Sequence, residues 1–337
     1  MLNDRKKKIL QAIVEDYIDN VQPVGSKTLV ENYNLGVSPA TIRNEMAELE
    51  EMGYLDKTHI SSGRVPSTLG YRFYVDSLLQ TSNLNVEEIN LLKNNIENEI
   101  LEVSQIVKHI SKTVSDITNY TVVSTGPNIK DAVIDDIKLV LLNNNMLLII
   151  VLTKETAIKQ TIIQLDEDVS EEVISKLNNL LRAKLNGIYV KDIEKDAIKY
   201  VNNELSNYLR ILIPILKEIT NILDNAEVVF DGANNIYKHP EFNSPDLAKN
   251  FLDTLEEKQI MLQALNVEDD DIKIYIGDEN YSPEFKDLSL VTFKCPQNLG
   301  IVGIIGPTRM DYAKVISVVK YIKEILDNRY KGGYIGE

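Results

Sequence analysis

The chain has 337 residues, 44% of them hydrophobic, and a formal net charge of -15; this is more than one ordinary domain needs and enough apolar content for two or three cores. Its single cysteine, Cys295, excludes an internal disulfide, and one thiol with three scattered histidines offers no cluster of metal-ligand spacing, so a reducing compartment without a structural metal is expected. The acidity argues against broad nonspecific nucleic-acid binding but not against one small binding module, because residues 1–80 hold 9 Lys+Arg and 11 Asp+Glu, net -2, leaving -13 for the remainder.

Arg5-Lys6-Lys7-Lys8 before Ile9-Leu10 resembles the start of a signal peptide. Glu15, Asp16 and Asp19 interrupt the apolar stretch, however, and no small-residue cleavage site follows, so a cytoplasmic location is expected. The most apolar segment, Leu139 to Leu152, is split by Asn143-Asn144-Asn145 into runs far shorter than a membrane helix requires and reads as a hairpin of buried strands.

From Asn3 or Asp4, either able to cap a helix, Ile9, Leu10, Ile13, Val14, Tyr17, Ile18 and Val21 recur at helical spacing. Pro23 and Gly25 end this first helix, and Ser26 can cap a short second one that buries Leu29, Val30 and Tyr33. Ser38-Pro39 is a strong start for a third helix reaching about Met52, because Ser accepts a free backbone N–H and Pro is already shaped for the first helical position. Gly53 suits a left-handed stop, and Tyr54-Leu55 with Val65 supply the strands of a hairpin bearing Ser61-Ser62-Gly63 at its tip. Three short helices and a hairpin describe a winged helix-turn-helix.

Beyond Tyr71, Ile89, Ile96, Val103, Ile110 and Ile117 recur every seven residues, which predicts one long amphipathic helix packed within the chain. Strands are predicted at about 120–125, 137–143, 146–153 and 157–165, and helical periodicity over 170–224 with a break or kink at Pro214. Strands resume at 227–230, 272–276, 289–294 and 300–305, with helices at 245–265 and 312–328. Strands, then helices, then strands again is the order expected when a helical insertion interrupts an α+β domain.

Function concentrates on the third helix. Ile42, Met46 and Leu49 share one face and leave Ala40, Asn44 and Ala47 opposite, flanked by Thr41 and Arg43. A small, polar face fits a major groove, where Arg bonds guanine bidentately and Asn bonds adenine, so Arg43 and Asn44, with the small Ala40 beside them, are the expected base readers. Lys27, Thr28, Ser38 and Thr41, at helix starts, are candidate phosphate contacts, as are Lys57, His59, Ser61, Ser62 and Arg64 on the wing. The Arg5–Lys8 run can add more. Glu48, Glu50 and Glu51 are unfavourable against DNA, so that end should tilt away from the duplex; Glu45 has no role assignable from sequence.

Other features carry less. Gly300, Gly303 and Gly306 match neither nucleotide-binding glycine pattern and read as a closely packed strand, with Arg309 and Asp311 structural or interfacial. Asp269-Asp270-Asp271 lacks the spacing of a calcium loop, and the three histidines have no paired nucleophile. No cofactor, metal or catalytic step is expected.

Pro23-Val24-Gly25-Ser26, the run from Ser38 through Arg43-Asn44-Glu45-Met46 to Gly53-Tyr54-Leu55, Ser62-Gly63-Arg64-Val65-Pro66 and Gly70-Tyr71-Arg72 together resemble the HrcA family of heat-inducible transcription repressors. Gly303-Ile304-Ile305-Gly306-Pro307-Thr308-Arg309-Met310-Asp311-Tyr312 resembles that family's C-terminal signature, so the likeness brackets nearly the whole chain. It implies a winged helix at 1–75, a GAF-like domain in two parts at 76–165 and 266–337, and an inserted, largely helical dimerisation domain at 166–265. It also implies a homodimer on double-stranded DNA at an inverted-repeat operator, CIRCE, upstream of chaperone operons, with the GroE chaperonin keeping the repressor active. Two rivals remain at this level: a regulator whose GAF-like domain binds a small effector, and an enzyme built on the C-terminal glycine turn.

Overall fold

The computed structural model describes residues 2–57, 63–97, 103–126, 132–154, 158–193, 208–224, 228–265, 271–280, 282–296 and 299–331. It is an α+β structure of several units.

The N-terminal unit opens with α1 (Asp4–Asn20), capped by the Asn3 side chain, which accepts the Lys6 N–H at 2.8 Å. Helix α2 (Ser26–Asn32) has Gly25 at its cap position and Ser26 as its first helical residue, so the expected serine cap is not formed. Ser38 does cap α3 (Pro39–Glu51), accepting the Thr41 N–H at 3.2 Å, and Gly53 turns the chain at φ 81°. Strands β1 (Leu55–Lys57) and β2 (Arg64–Pro66) pair antiparallel. Backbone bonds of 2.8 and 3.0 Å between Val24 and Arg64 tie the hairpin to the α1–α2 connection. Gly63 is required there, since a methyl on it would lie 2.7 Å from the Pro23 carbonyl oxygen.

The single helix expected over 89–117 is two. After α4 (Thr68–Phe73), α5 (Val86–Leu92) runs into a π-helical turn at Lys93–Glu97, and α6 (Val103–Thr118) follows. Asn95 donates to the Thr113 hydroxyl at 3.1 Å, although 18 residues of straight helix would separate them by about 27 Å; the chain therefore folds back between them. Ile96 and Ile110 both reach the same core, so the seven-residue repeat is satisfied by two arms.

A central antiparallel sheet has the order β7 (Val228–Asp231), β3 (Thr121–Thr125), β10 (Gly300–Pro307), β9 (Leu288–Cys295), β8 (Lys273–Ile276). Strand alternation sends Val122, Val291 and Ile304 into one core with α6 and with α11 (Tyr312–Lys331). It sends Val123, Leu290 and Ile305 to the other face, against α9 (Pro245–Glu256) and α10 (Lys258–Ala264). The one helix expected at 245–265 is thus divided at Glu257, whose ψ of 85° is not helical. The first core continues without interruption into Ile9, Ile13, Leu29, Ile42 and Leu49 of the N-terminal unit.

Between β3 and β7, neighbours in the sheet with Val123 opposite Phe230, lies a separate unit. Its strands β4 (Ile134–Asn143), β5 (Met146–Thr153) and β6 (Ile158–Gln164) form a three-stranded sheet of their own. They share a core with α7 (Glu171–Leu185) and α8 (Leu209–Asp224) that runs from Ala132 to Ile219. The insertion is therefore not the largely helical 166–265: the hairpin strands belong to it because their hydrogen bonds and buried faces do, and 228–265 belongs to the central sheet. Pro214 lies inside α8, in its second turn, and does not break it. Among the described residues no helix is long and apolar enough to cross a membrane.

Candidate nucleic-acid interface

Helix α3 buries Ile42, Glu45, Met46 and Leu49 and exposes Ala40, Arg43, Asn44 and Ala47. Its position is fixed by core packing on one side, leaving the other free for a ligand. Arg43 and Asn44 make no side-chain hydrogen bond or ion pair among the described residues. At its N-terminus the Ser38 and Thr41 hydroxyls sit 3.0 Å apart, and Lys27 is exposed with Thr28 half-buried in the first turn of α2. Ser26, Arg43, Met46, Lys57 and Arg64 line one concavity, which unites the start of α2, the middle of α3 and both strands of the hairpin. His59, Ser61 and Ser62 lie outside the described residues.

The cations differ in how far they are already engaged. Arg64 donates Nε–H to Glu50 at 2.6 Å and its side chain is only 15% exposed, so it braces the hairpin against α3 as well as facing the concavity. Lys6 Nζ lies 2.8 Å from both Glu45 and Glu48, with Arg5 3.3 Å from Glu45. This gives Glu45 a role: it clamps α1 to α3. The Lys6 ammonium hydrogen-bonded to it, with Arg5 adding to the effect, holds the Glu45 carboxyl below the usual carboxylate range. Half of the Arg5–Lys8 run is therefore engaged with the acidic end of α3, while Lys27, Arg43 and Lys57 project their charges outward.

Two arginines dock this unit on the rest of the chain. Arg72 of α4 donates Nε–H to Glu279 at 2.9 Å and Nη2–H to the Ile274 carbonyl at 2.6 Å. Arg309 reaches Glu241 at 3.1 Å and the Ile18 carbonyl of α1 at 3.3 Å. Both residues lie in sequence motifs, but partners about 200 and 290 positions away leave no local trace.

The rest of the C-terminal motif is structural. A methyl on Gly303 would lie 2.5 Å from Leu265 Cδ2, and one on Gly306 2.7 Å from the Tyr120 ring. The Asp311 N–H donates to the Tyr120 hydroxyl at 2.9 Å, and Asp311 Oδ1 caps α11 by accepting the Lys314 N–H at 3.0 Å. Tyr312, fully buried, donates to the Thr308 carbonyl at 2.6 Å and lies 2.7 Å from the Ser289 hydroxyl. Strand β10 is thus a packed central strand. Among the described residues no group of three or more His, Cys, Asp or Glu side chains could hold a metal ion, and Cys295 is buried, which pushes its thiol up to about 12.

Comparison with known proteins bears on the whole length. The family model described as the HrcA protein C terminal domain matches residues 104–316. A heat-inducible transcription repressor HrcA of Alkaliphilus metalliredigens is 41% identical over 341 aligned positions, covering 98% of this chain and 99% of its own. One from Acetivibrio thermocellus is 40% identical, covering 96% and 94%. A crystal structure of a hypothetical protein at 2.2 Å resolution is similar in fold, with a TM-score of 0.65, 23% identity and coverage of 98% and 99%.

Proposed function

The chain belongs to the HrcA family of heat-inducible transcription repressors, and from that premise we propose that its N-terminal unit is a winged helix-turn-helix carrying α3 into the major groove of a CIRCE-type inverted repeat. It is a repressor of heat-shock transcription, and its family is one of regulators, not enzymes. In this reading Arg43 and Asn44 read base edges over the small Ala40, while Ser38, Thr41, Lys27 and Thr28 hold phosphates. Lys57 and Arg64, with His59, Ser61 and Ser62, serve the wing. The observation that carries the assignment is the unengaged Arg43–Asn44 face on a helix whose opposite face is locked into the core. The central sheet and its helices form the GAF-like domain, and the protein works in the cytoplasm.

A dimer is proposed because an inverted repeat asks for two-fold symmetry, and the inserted unit offers a surface for it. In β4–β6, Ile137, Leu139, Leu147, Ile149 and Val151 face the helices. By register, Val140, Leu148 and Ile162 align on the opposite face, as do Leu152 and Ile158, with Ile150 between them. Antiparallel sheets that face water carry polar residues on that side; this one mixes aliphatic residues, with Ile158 64% and Ile162 55% exposed, with the polar Lys138 and Gln160 that flank Ile150. A second copy covers it in this reading. GroE is the proposed chaperone partner, supported by family membership alone.

The test compares wild type with Ile150→Lys by sedimentation and by binding to an intact inverted repeat or a single half-site. Wild type should be dimeric and prefer the intact repeat. The variant should be monomeric and bind both duplexes weakly. A dimeric Ile150→Lys would move the interface elsewhere, and equal wild-type binding to both duplexes would contradict the two-fold reading.

A further inference from the structure

The hairpin sets two cations side by side. Its register places Lys57 of β1 directly opposite Arg64 of β2, so both side chains leave the same face of the two-stranded sheet, where like charges destabilise each other. Glu50 relieves one of them, meeting Arg64 Nε at 2.6 Å; Lys57 has no side-chain hydrogen bond or ion pair among the described residues. The same corner receives the start of α2. Backbone bonds of 2.8 and 3.0 Å between Val24 and Arg64 hold the α1–α2 connection against β2, just ahead of Ser26. Because Gly25 occupies the cap position of α2, the Ser26 hydroxyl is not used as a cap, and it makes no hydrogen bond among the described residues. Ser26 shares one concavity with Arg43, Lys57, Arg64 and the buried Met46. Three cations, only one of them seen paired with a carboxylate, and a hydroxyl able to donate describe a site for an oxyanion.

We infer that this concavity takes one backbone phosphate of the operator, gripped jointly by the Ser26 hydroxyl and the Lys57 ammonium with the Arg64 guanidinium alongside. This clamp rests on the operator-binding reading and deepens it: α2 and the wing, which precede and follow α3 in the chain, hold the same linkage rather than separate ones. The phosphate supplies the negative charge between Lys57 and Arg64 and accepts from Ser26 Oγ. Such a contact carries no sequence information. It fixes the register of α3, whose Arg43 stands on the wall of the same concavity.

Methylphosphonate substitution, which makes one linkage at a time uncharged, reads the site directly with the full-length protein. An inverted-repeat duplex is substituted at equivalent positions of both half-sites, and anisotropy titrations compare wild type with Ser26→Ala and Lys57→Gln. On the unmodified repeat each variant should lose about tenfold in affinity, and as much on a scrambled duplex, so that the preference between the two is kept. Lys57→Gln should also lower the salt slope by about one per half-site, whereas Ser26→Ala should leave it unchanged. At one linkage the substitution should weaken wild type about tenfold and abolish the difference between wild type and either variant. At every other linkage those differences should persist. Neither variant should lower the melting temperature, which separates the clamp from a role in folding. The loss in the double variant should fall well short of the product of the single losses, since both groups serve one phosphate. Different linkages for the two variants, no linkage that removes either difference, or single losses that multiply in full would overturn the clamp. Equal wild-type affinity for the repeat and the scrambled duplex would count instead against sequence recognition by α3, with the double-variant comparison still deciding the clamp. Absence of binding to any duplex overturns both.

Discussion

Arg309, just ahead of the C-terminal helix, donates through Nη1 to the backbone carbonyl of Ile18, near the end of the first helix, across 3.3 Å. The carbonyl belongs to the last turn of α1, where oxygens lack intrahelical partners and attract cations. Glu241 holds the same guanidinium from the other side at 3.1 Å, so the C-terminal motif anchors the N-terminal unit at the far end of the chain. Arg309→Ala removes charge-assisted bonds from a side chain only 11% exposed. It should cost about 2 kcal/mol and speed amide exchange in residues 4–20 more than in the inserted sheet. Unchanged exchange in α1 would show that the shared core alone holds the unit.

Arg43 and Arg64 separate by what they touch. Arg43→Ala should leave thermal stability unchanged, cost about 1–3 kcal/mol of operator affinity and relax discrimination at one base pair. Arg64→Ala breaks the pair with Glu50, so it should lower the melting temperature and weaken all duplexes alike. Equal loss on every sequence for Arg43→Ala would reassign that residue to a phosphate.

The Glu45 clamp predicts a pH signature. Because Lys6 and Arg5 hold the carboxyl below its unfolded value, its contribution is present above the ordinary glutamate range, near about 4.3, and is lost as pH falls through the depressed folded value. Wild type should therefore be more stable than Glu45→Gln to urea at neutral pH, with the gap closing under acid conditions. A gap constant down to about pH 3 would mean that the charge of Glu45 is not what matters.

Strand β10 tolerates no side chain at Gly303. Gly303→Val should destabilise the protein by about 1–3 kcal/mol through overpacking against Leu265, Leu290 and Val123, while operator sequence preference is unchanged. Altered preference with intact stability would place this strand in recognition.

What was legible in the sequence was local. Asn3 and Ser38-Pro39 marked helix starts because capping is a short-range bond, and the Ile42, Met46, Leu49 stripe gave the free face of α3 from periodicity alone. Two features of the fold escape the local pattern for one physical reason. A seven-residue repeat specifies which side chains are buried but not whether the helix carrying them is continuous, so the fold-back that puts Asn95 on Thr113 was invisible. Alternation likewise identified β4–β6 as strands but not the sheet they join, since pairing partners are set by hydrogen bonds over distance. Arg72, Arg309 and Glu45 were readable as residues of a motif or a helix, and only the fold supplies Glu279, Ile18 and Lys6 opposite them.

The most direct test of the account is fluorescence anisotropy of a CIRCE-type inverted repeat and a scrambled duplex, titrated with wild type and Arg43→Ala over a salt series. The account predicts tight binding to the repeat that weakens steeply with salt, weak binding to the scrambled duplex, and loss of the difference in Arg43→Ala. Equal affinity for the two duplexes, or a preference that survives Arg43→Ala, would contradict recognition through α3.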